Sequence, residues 1–283
     1  MVESSSISRT LEWADRLTTA RRAVESVGPM LLEIRKKRVA GIEGARGQLK
    51  TEADRLAEDW VLGILKRDYP DDHFLAEESF EEAGRDWEAP REYWTVDALD
   101  GTRSFVEGFD GFCSQAAYVV EGEVKLGVVY EPVRRVTYQA IAGQGAFRRK
   151  DGGKRRRLAV RLEERCPLIF IDSTRPTGPV GRLLTELSGE YLECGSIGLK
   201  ICRVADGTAD IFAKALTFKL WDTAPGDLIL REAGGRLGLW TGEPIPYHGR
   251  QVYFRNLLAA PAGLFAAALP TLRGFPVDKE VKS

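Results

Sequence analysis

A short segment with two carboxylates, Asp97-Ala98-Leu99-Asp100-Gly101-Thr102, most constrains what this chain can fold into. It follows the apolar run 93–96, which is typical of a buried strand, so the acids stand where that strand ends. Asp-Gly is also an ordinary turn signal, but a turn alone does not need Asp97. Carboxylates suit Mg²⁺, and backbone N–H groups at a helix start after Gly101-Thr102 can hold a phosphate. The segment therefore predicts a divalent cation beside a phosphate group.

The composition is that of an ordinary globular protein and argues against several functional classes. The chain has 283 residues, 43% hydrophobic and 29% charged, enough for one large domain or two closely packed ones. The net charge of −1 gives no global argument for binding to nucleic acids or anionic membranes. No run is long enough to cross a membrane, and the N-terminus lacks a signal-peptide pattern. Only two histidines are present, which argues against histidine-based zinc or triad chemistry.

The cysteines predict the compartment. They are far apart in sequence and form no Cys-x-x-Cys pair, so we expect reduced core thiols in a cytoplasmic protein. These residues are Cys113, Cys166, Cys194 and Cys202.

The periodicity of apolar residues predicts helices first and strands second. Spacings of three and four predict a helix over residues 17–34 and another over 56–65 that stops near Tyr69-Pro70. Short apolar runs separated by turns then predict an antiparallel sheet. Its strands are expected at residues 74–76, 93–96, 114–120, 124–130 and 135–142.

Beyond a basic stretch at residues 148–157, helices and strands alternate. Strands are expected at 168–171 and 209–213, and helices at 180–187, 196–205, 222–233 and 264–269. Residues 1–150 are therefore interpreted as an α+β half with the metal site and 151–283 as an α/β half that binds substrate. Such an order predicts a layered protein. The basic stretch has no interleaved aromatic residues, so we favour a solvated surface over a nucleic-acid site.

Three further acidic positions stand at the ends of apolar elements. Asp54 begins the second helix, where Thr51 as N-cap and Asp54 three residues later also resemble a capping box. Glu77-Glu78 follows a short strand, where acids are often simply solvated. Asp222 is also suited to be the N-cap of the following helix. Each signal is weak alone, but a shared metal site would bring these carboxylates together.

Four motifs in order resemble the inositol monophosphatase superfamily of Mg²⁺-dependent, lithium-sensitive phosphatases. The aromatic-x-x-Asp-Pro-x-Asp-Gly-Thr-x-x-Phe pattern matches residues 94–105, with Ala98 in place of the proline. Trp-Asp-x-Ala-x-Gly matches residues 221–226, with Pro225 at a position that is usually small. Thr-x-Ala-Asp matches 51–54, and the Glu-Glu element is 77–78. Neither departure removes a carboxylate.

This resemblance implies a fold and a set of roles. The fold would be a layered αβαβα sandwich of the inositol monophosphatase and fructose-1,6-bisphosphatase type. Asp54 and Thr102 would orient and deprotonate the attacking water, and the Gly101-Thr102 N–H groups would hold phosphate. Two or three Mg²⁺ ions would neutralise the attacking and leaving oxygens. Their ligands would be Glu77, Asp97, Asp100, Asp222 and the carbonyl of Leu99.

The substrate is a finer question within this superfamily. The segment beginning Gly195-Ser196 and containing Lys200 resembles the Gly-Ser-x-x-x-Lys segment of 3′(2′),5′-bisphosphate nucleotidases. A lysine there can hold a second phosphate. Residues 172–175 loosely match a strand end that binds substrate in those nucleotidases, with Arg175 at the place of a basic group. The alternative for Lys200 is an exposed helix lysine. We therefore expect 3′-phosphoadenosine 5′-phosphate as substrate, with Ser196, Lys200 and Arg175 as contacts.

Other functions remain open. Ser104 replaces an acid common in the nucleotidases, so inositol 1-phosphate, fructose 1,6-bisphosphate or histidinol phosphate are alternative substrates. A non-catalytic binding protein is a more remote alternative, because all five acids are present. By the resemblance, the partners are a small phosphorylated molecule and a second copy of the chain in a homodimer, without a nucleic-acid polymer or a membrane.

Overall fold

The computed structural model describes residues 2–37, 42–43, 49–50, 52–83, 86–162 and 165–273, with only the backbone for 2–10, 42–43 and 49–50. The helices are α1 (Val2–Ser26), α2 (Gly28–Lys36), α3 (Glu52–Asp68), α4 (Glu77–Glu82), α5 (Thr102–Glu107), α6 (Gly178–Glu186), α7 (Ile197–Ala205), α8 (Leu220–Glu232) and α9 (Ala262–Arg273). The strands are β1 (Ile42–Glu43), β2 (Leu49–Lys50), β3 (His73–Ala76), β4 (Glu92–Asp100), β5 (Cys113–Val120), β6 (Glu123–Glu131), β7 (Val136–Ile141), β8 (Ala146–Lys150), β9 (Arg156–Arg157), β10 (Leu168–Asp172), β11 (Gly189–Glu193), β12 (Phe212–Lys219), β13 (Gly235–Leu239) and β14 (Tyr253–Pro261).

A seven-stranded sheet places β3 to β9 side by side in chain order. The strands from β4 to β9 are antiparallel, as the short turns between them predict. The antiparallel prediction is wrong for β3, which pairs parallel with β4, because the connection through α4 returns the chain to its starting end. The sheet continues to β9 beyond residue 150, and the division of the chain at that position stays a prediction.

A second sheet has the antiparallel strand order β12-β14-β13, and a bridge between Phe170 and Ile211 joins it to the parallel pair β10-β11. The strand expected at 209–213 begins at Phe212 and continues to Lys219. Strands β11, β13 and β14 are missing from the sequence predictions. Strand β14 ends at Pro261 and α9 begins at the next residue. The apolar residues of both elements form one run, so the periodicity does not show where the strand ends and the helix begins.

Alternating side chains of the two sheets pack into three core clusters. In the first sheet, Trp94 packs with α1 and α3, whereas its neighbour Tyr93 packs with α7 and α8. In the second sheet, Leu257 joins the cluster of α7 and α8, and Leu258 packs with α6 and α9. The layers therefore follow the order helices, sheet, helices, sheet, helices. The predicted αβαβα sandwich is confirmed.

The helix expected over residues 17–34 is interrupted at Val27, between α1 and α2. Pro29 has no N–H to donate, and in a continuous helix its ring would meet the carbonyl four residues earlier. Gly28 packs against the Tyr130 ring. A Cβ at residue 28 would lie only 2.7 Å from a ring carbon, so the position has no room for a side chain. The prediction of one helix is wrong, but its apolar face is buried as expected, from Leu17 to Leu31.

Candidate metal and phosphate site

The site begins where the parallel strands β3 and β4 present their carboxyl ends. Ala76, the last residue of β3, pairs in register with Val96 of β4. Glu77, which follows β3, and Asp97, the next residue of β4, therefore stand at the same edge. The strand interiors are apolar and buried, which positions these two acids at the boundary of the core. A parallel pairing in this register brings together residues that are distant in sequence.

The Asp97–Thr102 segment forms the turn that the sequence predicts. The pairing of β4 with β5 shifts between Asp97 and Asp100, and Leu99 N donates to Asp97 Oδ1 at 3.1 Å. Gly101 has φ +93°, and a Cβ there would be 2.8 Å from a backbone oxygen, so glycine is required. Helix α5 begins at Thr102, which confirms the predicted helix start.

Glu77 is the first residue of α4, and a neighbouring helix caps this short element. Ala76, at the N-cap position, has no side chain that can accept a hydrogen bond. The buried carboxylate of Glu58, on α3, accepts instead from Glu78 N at 2.7 Å and Ser79 N at 2.8 Å. Burial raises the pKa of Glu58, and these hydrogen bonds oppose the shift. Sequence reasoning missed this residue, because its role depends on how α3 packs on α4.

Three predicted metal ligands meet in one cluster. Glu77, Asp97 and Asp222 each offer a carboxylate oxygen, and these oxygens all lie within 4.8 Å of one another. Asp222 belongs to the first turn of α8, where it accepts from Lys219 N at 2.7 Å. The helix begins at Leu220, so Asp222 is inside the helix and the prediction that it is the N-cap is wrong.

The electrostatics of the cluster favour a bound cation. Burial, followed by repulsion from Glu77, Asp100 and Asp222, holds the pKa of Asp97 well above its usual range. Burial likewise raises the pKa of Asp222 to about 8, although the Lys219 ammonium opposes the shift. Buried like charges are costly to bring together, and a divalent cation offsets that cost. Because the donor atoms are all carboxylate oxygens, the cluster fits Mg²⁺.

Asp100 contacts the N-terminus of α7. Its Oδ2 accepts from Ser196 Oγ at 2.5 Å, from Gly198 N at 2.8 Å and from Gln115 Nε2 at 3.2 Å. Burial raises the pKa of Asp100, and the Ser196 hydrogen bond opposes the shift. The structure thus places Ser196 against Asp100 of the Asp97–Thr102 segment. The Ser196 Oγ also caps α7 by accepting from Leu199 N. The roles of Asp100 as metal ligand and Ser196 as substrate contact stay predictions.

Asp54 and Thr102 form the contact that the predicted roles require. Thr102 Oγ1 lies 2.7 Å from Asp54 Oδ1 and 3.3 Å from the carbonyl of Leu99. Asp54 belongs to the first turn of α3 and is buried, so its carboxylate faces the protein. Thr51, the partner in the capping-box interpretation, is outside the described residues. The structure therefore brings together the two residues predicted to activate water, while their catalytic role stays a prediction.

Lys200 is buried. Its side chain is 1% exposed, and Nζ lies 3.3 Å from Asp172 Oδ1 and 5.1 Å from the centre of the Phe212 ring. Burial lowers its pKa, while Asp172 opposes the shift. The alternative of an exposed helix lysine is wrong. Arg175 is exposed in the loop 173–177, and the substrate contacts of both residues stay predictions.

Two lysines near these groups were missed by sequence reasoning. Lys214 Nζ lies 2.6 Å from Asp172 Oδ1 and 3.1 Å from Ser173 Oγ. Lys219 Nζ forms an ion pair with Glu77 Oε1 inside the carboxylate cluster. Both belong to β12, whose pairing with β14 was not predicted, so no local signal indicated where their ammonium groups lie.

The cysteines and the basic stretch agree only in part with the predictions. All four cysteines are free; Cys113 and Cys202 are buried, but Cys166 is exposed and is not a core thiol. Arg148 forms an ion pair with Asp206, and β9 is an exposed edge strand. In the part of the chain that the structure describes, no helix is both long and apolar enough to cross a membrane.

Comparison with known proteins identifies the class. The family model described as "Inositol monophosphatase family" matches residues 12–272. Inositol monophosphatase 3 of Solanum lycopersicum is 32% identical over 216 residues, which cover 74% of this chain and 80% of the relative. The chain therefore belongs to the inositol monophosphatase family. It is a phosphatase, a hydrolase of phosphoric monoesters.

Two further relatives show the spread within this family. The 3′(2′),5′-bisphosphate nucleotidase CysQ of Escherichia coli K12 is 33% identical over 207 residues, covering 72% of this chain and 81% of the relative. The solved structure of a Thermotoga maritima IMPase superposes with a TM-score of 0.74 and 27% identity, covering 92% of this chain and 97% of that one. At these identities, the relatives do not single out one substrate.

Proposed function

We propose that this phosphatase depends on Mg²⁺ held by Glu77, Asp97 and Asp222. The observation that carries the proposal is the meeting of their oxygens within 4.8 Å, with Asp97 and Asp222 buried and Glu77 half-buried. Asp100 and the carbonyl of Leu99 would supply further ligands, giving two or three ions in total. When bound, these ions would lower the pKa of a water molecule and neutralise the phosphate oxygens.

The residues beside the cluster would position and deprotonate the attacking water. Thr102 Oγ1 donates to Asp54 Oδ1, and a hydroxyl that donates keeps two lone pairs with which it can accept a hydrogen bond from water. Thr102 would give its own proton to the Asp54 carboxylate and take one from the water as the water oxygen bonds to phosphorus. The ester P–O bond would break in the same displacement, and the bound cations would neutralise the charge on the departing alcohol oxygen. The backbone N–H groups of Gly101 and Thr102 would hold the phosphate. A general base of this kind contributes about 10²–10⁴-fold to the rate.

We infer that the substrate is a bisphosphate nucleotide, 3′-phosphoadenosine 5′-phosphate. The support is the similarity to CysQ together with two ammonium groups, those of Lys200 and Lys214, that converge on Asp172. Two cations on one carboxylate leave a net positive charge that attracts a second phosphate. Because Lys200 is 1% exposed, Lys214 is the residue of the pair that we expect to contact it.

Inositol 1-phosphate is the second candidate substrate. Similarity to the tomato inositol monophosphatase favours it, and so does the pairing of both lysines with Asp172, which reduces the charge available to a second phosphate. Fructose 1,6-bisphosphate and histidinol phosphate are further alternatives. A non-catalytic binding role is not consistent with the presence of all five carboxylates.

The test is phosphate release from a panel of these substrates with Mg²⁺ present and with Mg²⁺ removed by EDTA. We expect Asp97→Asn to lose activity on every substrate, whereas Lys214→Ala should slow only the bisphosphate nucleotide. Lys150→Ala, an exposed lysine at the end of β8, is the matched control. Equal effects of Lys214→Ala on all substrates would refute the nucleotide assignment but leave the metal site standing.

We also propose a reducing, cytoplasmic location and a homodimer. The four free cysteines support the location. The homodimer follows from resemblance to the family alone. Sedimentation of the purified chain tests it, and a monomer at micromolar concentration would count against it.

A further inference from the structure

The carboxylate cluster contains a cation that belongs to the protein itself. Lys219 is 5% exposed, and its Nζ forms an ion pair with Glu77 Oε1. The same residue precedes α8, where its backbone N–H donates to Asp222. Its side chain also lies near an apolar wall, with Nζ 5.6 Å from the centre of the Trp221 ring. The backbone N–H and the ammonium of Lys219 therefore each contact one carboxylate of the cluster.

Three carboxylates surround the Lys219 ammonium with negative charge. Its Nζ pairs with Glu77 Oε1, and Asp97 and Asp222 each offer an oxygen within 4.8 Å of a Glu77 oxygen. Lys219 thus stabilises the acids of the cluster in the way that a bound metal would.

A divalent cation and this ammonium need the same groups. A cation that binds Glu77 through Oε1 shares that oxygen with the ammonium or displaces it, and one that binds the other oxygen lies close to a like charge in a largely buried site. Both arrangements reduce the gain in free energy on binding, because Coulomb interactions are strong where water is excluded.

We propose that Lys219 competes with the divalent cation for Glu77 and so weakens cation binding by this site. The proposal rests on the proposed metal site at Glu77, Asp97 and Asp222. It makes Lys219 a residue that sets cation affinity, while the carboxylates provide the binding itself. The opposite role, in which the lysine holds Glu77 in place for the metal, predicts an effect of opposite sign.

The experiment measures Mg²⁺ affinity of the full chain by isothermal titration calorimetry, with no substrate present. Lys219→Met removes the ammonium and keeps much of the side-chain volume, and Lys219→Gln is the second variant if the first does not fold. Lys219→Arg retains the charge. Lys125→Met is the matched control, because it breaks the Lys125–Glu123 ion pair, which lies on another strand.

We expect Lys219→Met to bind Mg²⁺ about tenfold more tightly, which corresponds to about 1.4 kcal/mol. Lys219→Arg and Lys125→Met should bind as the unmodified chain does. Without Mg²⁺, Lys219→Met should melt at a lower temperature, and its melting temperature should rise further on adding Mg²⁺ than that of the unmodified chain. This second readout follows because unpaired buried acids destabilise the metal-free fold.

Unchanged or weaker Mg²⁺ binding by both Lys219→Met and Lys219→Gln would overturn the proposal. Failure of the metal site itself has a different signature. In that case the unmodified chain would bind no Mg²⁺, or Asp97→Asn would bind it equally well.

Discussion

Replacing Glu58 by alanine tests whether α3 holds Glu77, the proposed metal ligand on α4, in position. The buried Glu58 carboxylate accepts hydrogen bonds from Glu78 N and Ser79 N, and also from Ser79 Oγ. Each buried donor left without an acceptor costs about 1–3 kcal/mol. Ser79 is exposed, so its hydroxyl can turn to water and its N–H is counted at the low end of this range, whereas the buried Glu78 N–H is counted at the high end. The relief from no longer burying a carboxylate is then subtracted. The variant should lose about 3 kcal/mol of unfolding free energy.

Urea unfolding followed by tryptophan fluorescence measures this loss. With a slope of about 3 kcal/mol per molar urea, the midpoint should fall by about 1 M. Glu58→Gln keeps one acceptor oxygen and should fall roughly half as far. Asp59→Ala, at the exposed next position of α3, is the matched control and should change little.

The same variant should weaken Mg²⁺ binding, because Glu77 is the first residue of the helix that Glu58 caps. Loss of a group that orients a metal ligand typically costs 10–100-fold in affinity, so we expect about tenfold. If Glu58→Ala unfolds at the same urea concentration as Asp59→Ala, the capping argument is wrong. If it unfolds earlier but binds Mg²⁺ normally, Glu58 stabilises α4 without positioning Glu77.

Three other substitutions test the site and its support. Gly101→Ala should destabilise the fold by about 2 kcal/mol more than Gly108→Ala. Both glycines have positive φ, but of the two only Gly101 has backbone atoms where a Cβ would stand. Equal losses of unfolding free energy would refute the steric argument. Burial raises the pKa of Asp227 to about 6. Folding therefore favours the protonated form, and stability falls as pH rises from about 4 to 6. As pH rises from about 4 to 6, the unfolding free energy of Asp227→Asn should rise by about 2 kcal/mol relative to that of the unmodified chain. A difference between the two that stays constant with pH would contradict this. Arg203→Met leaves the buried Glu131 carboxylate without its 2.6 Å partner and should cost about 3–5 kcal/mol; a thermal melt unchanged from that of the unmodified chain would refute it.

The sequence determined which residues could carry the chemistry and where each stands on its own element. The run 93–96 before Asp97 is apolar except for Thr95 and rich in strand-forming residues, so the strand, the turn at Gly101 and the helix start at Thr102 followed from local rules. The acids at the starts of α3, α4 and α8 could be recognised in the same way, because the ends of apolar elements lie at the core boundary. The αβαβα order followed from resemblance to the family.

Only the tertiary structure decided which of these residues meet. The parallel register of β3 and β4 brings Glu77 beside Asp97, and the packing of α8 adds Asp222, although no periodicity encodes either arrangement. The roles of Glu58 and Lys219 arise from contacts between elements far apart in the chain. Local sequence patterns report burial and backbone preference over a few residues. The charge around a buried group depends on all elements packed against it, and for that reason the electrostatics of this carboxylate cluster are a property of the fold.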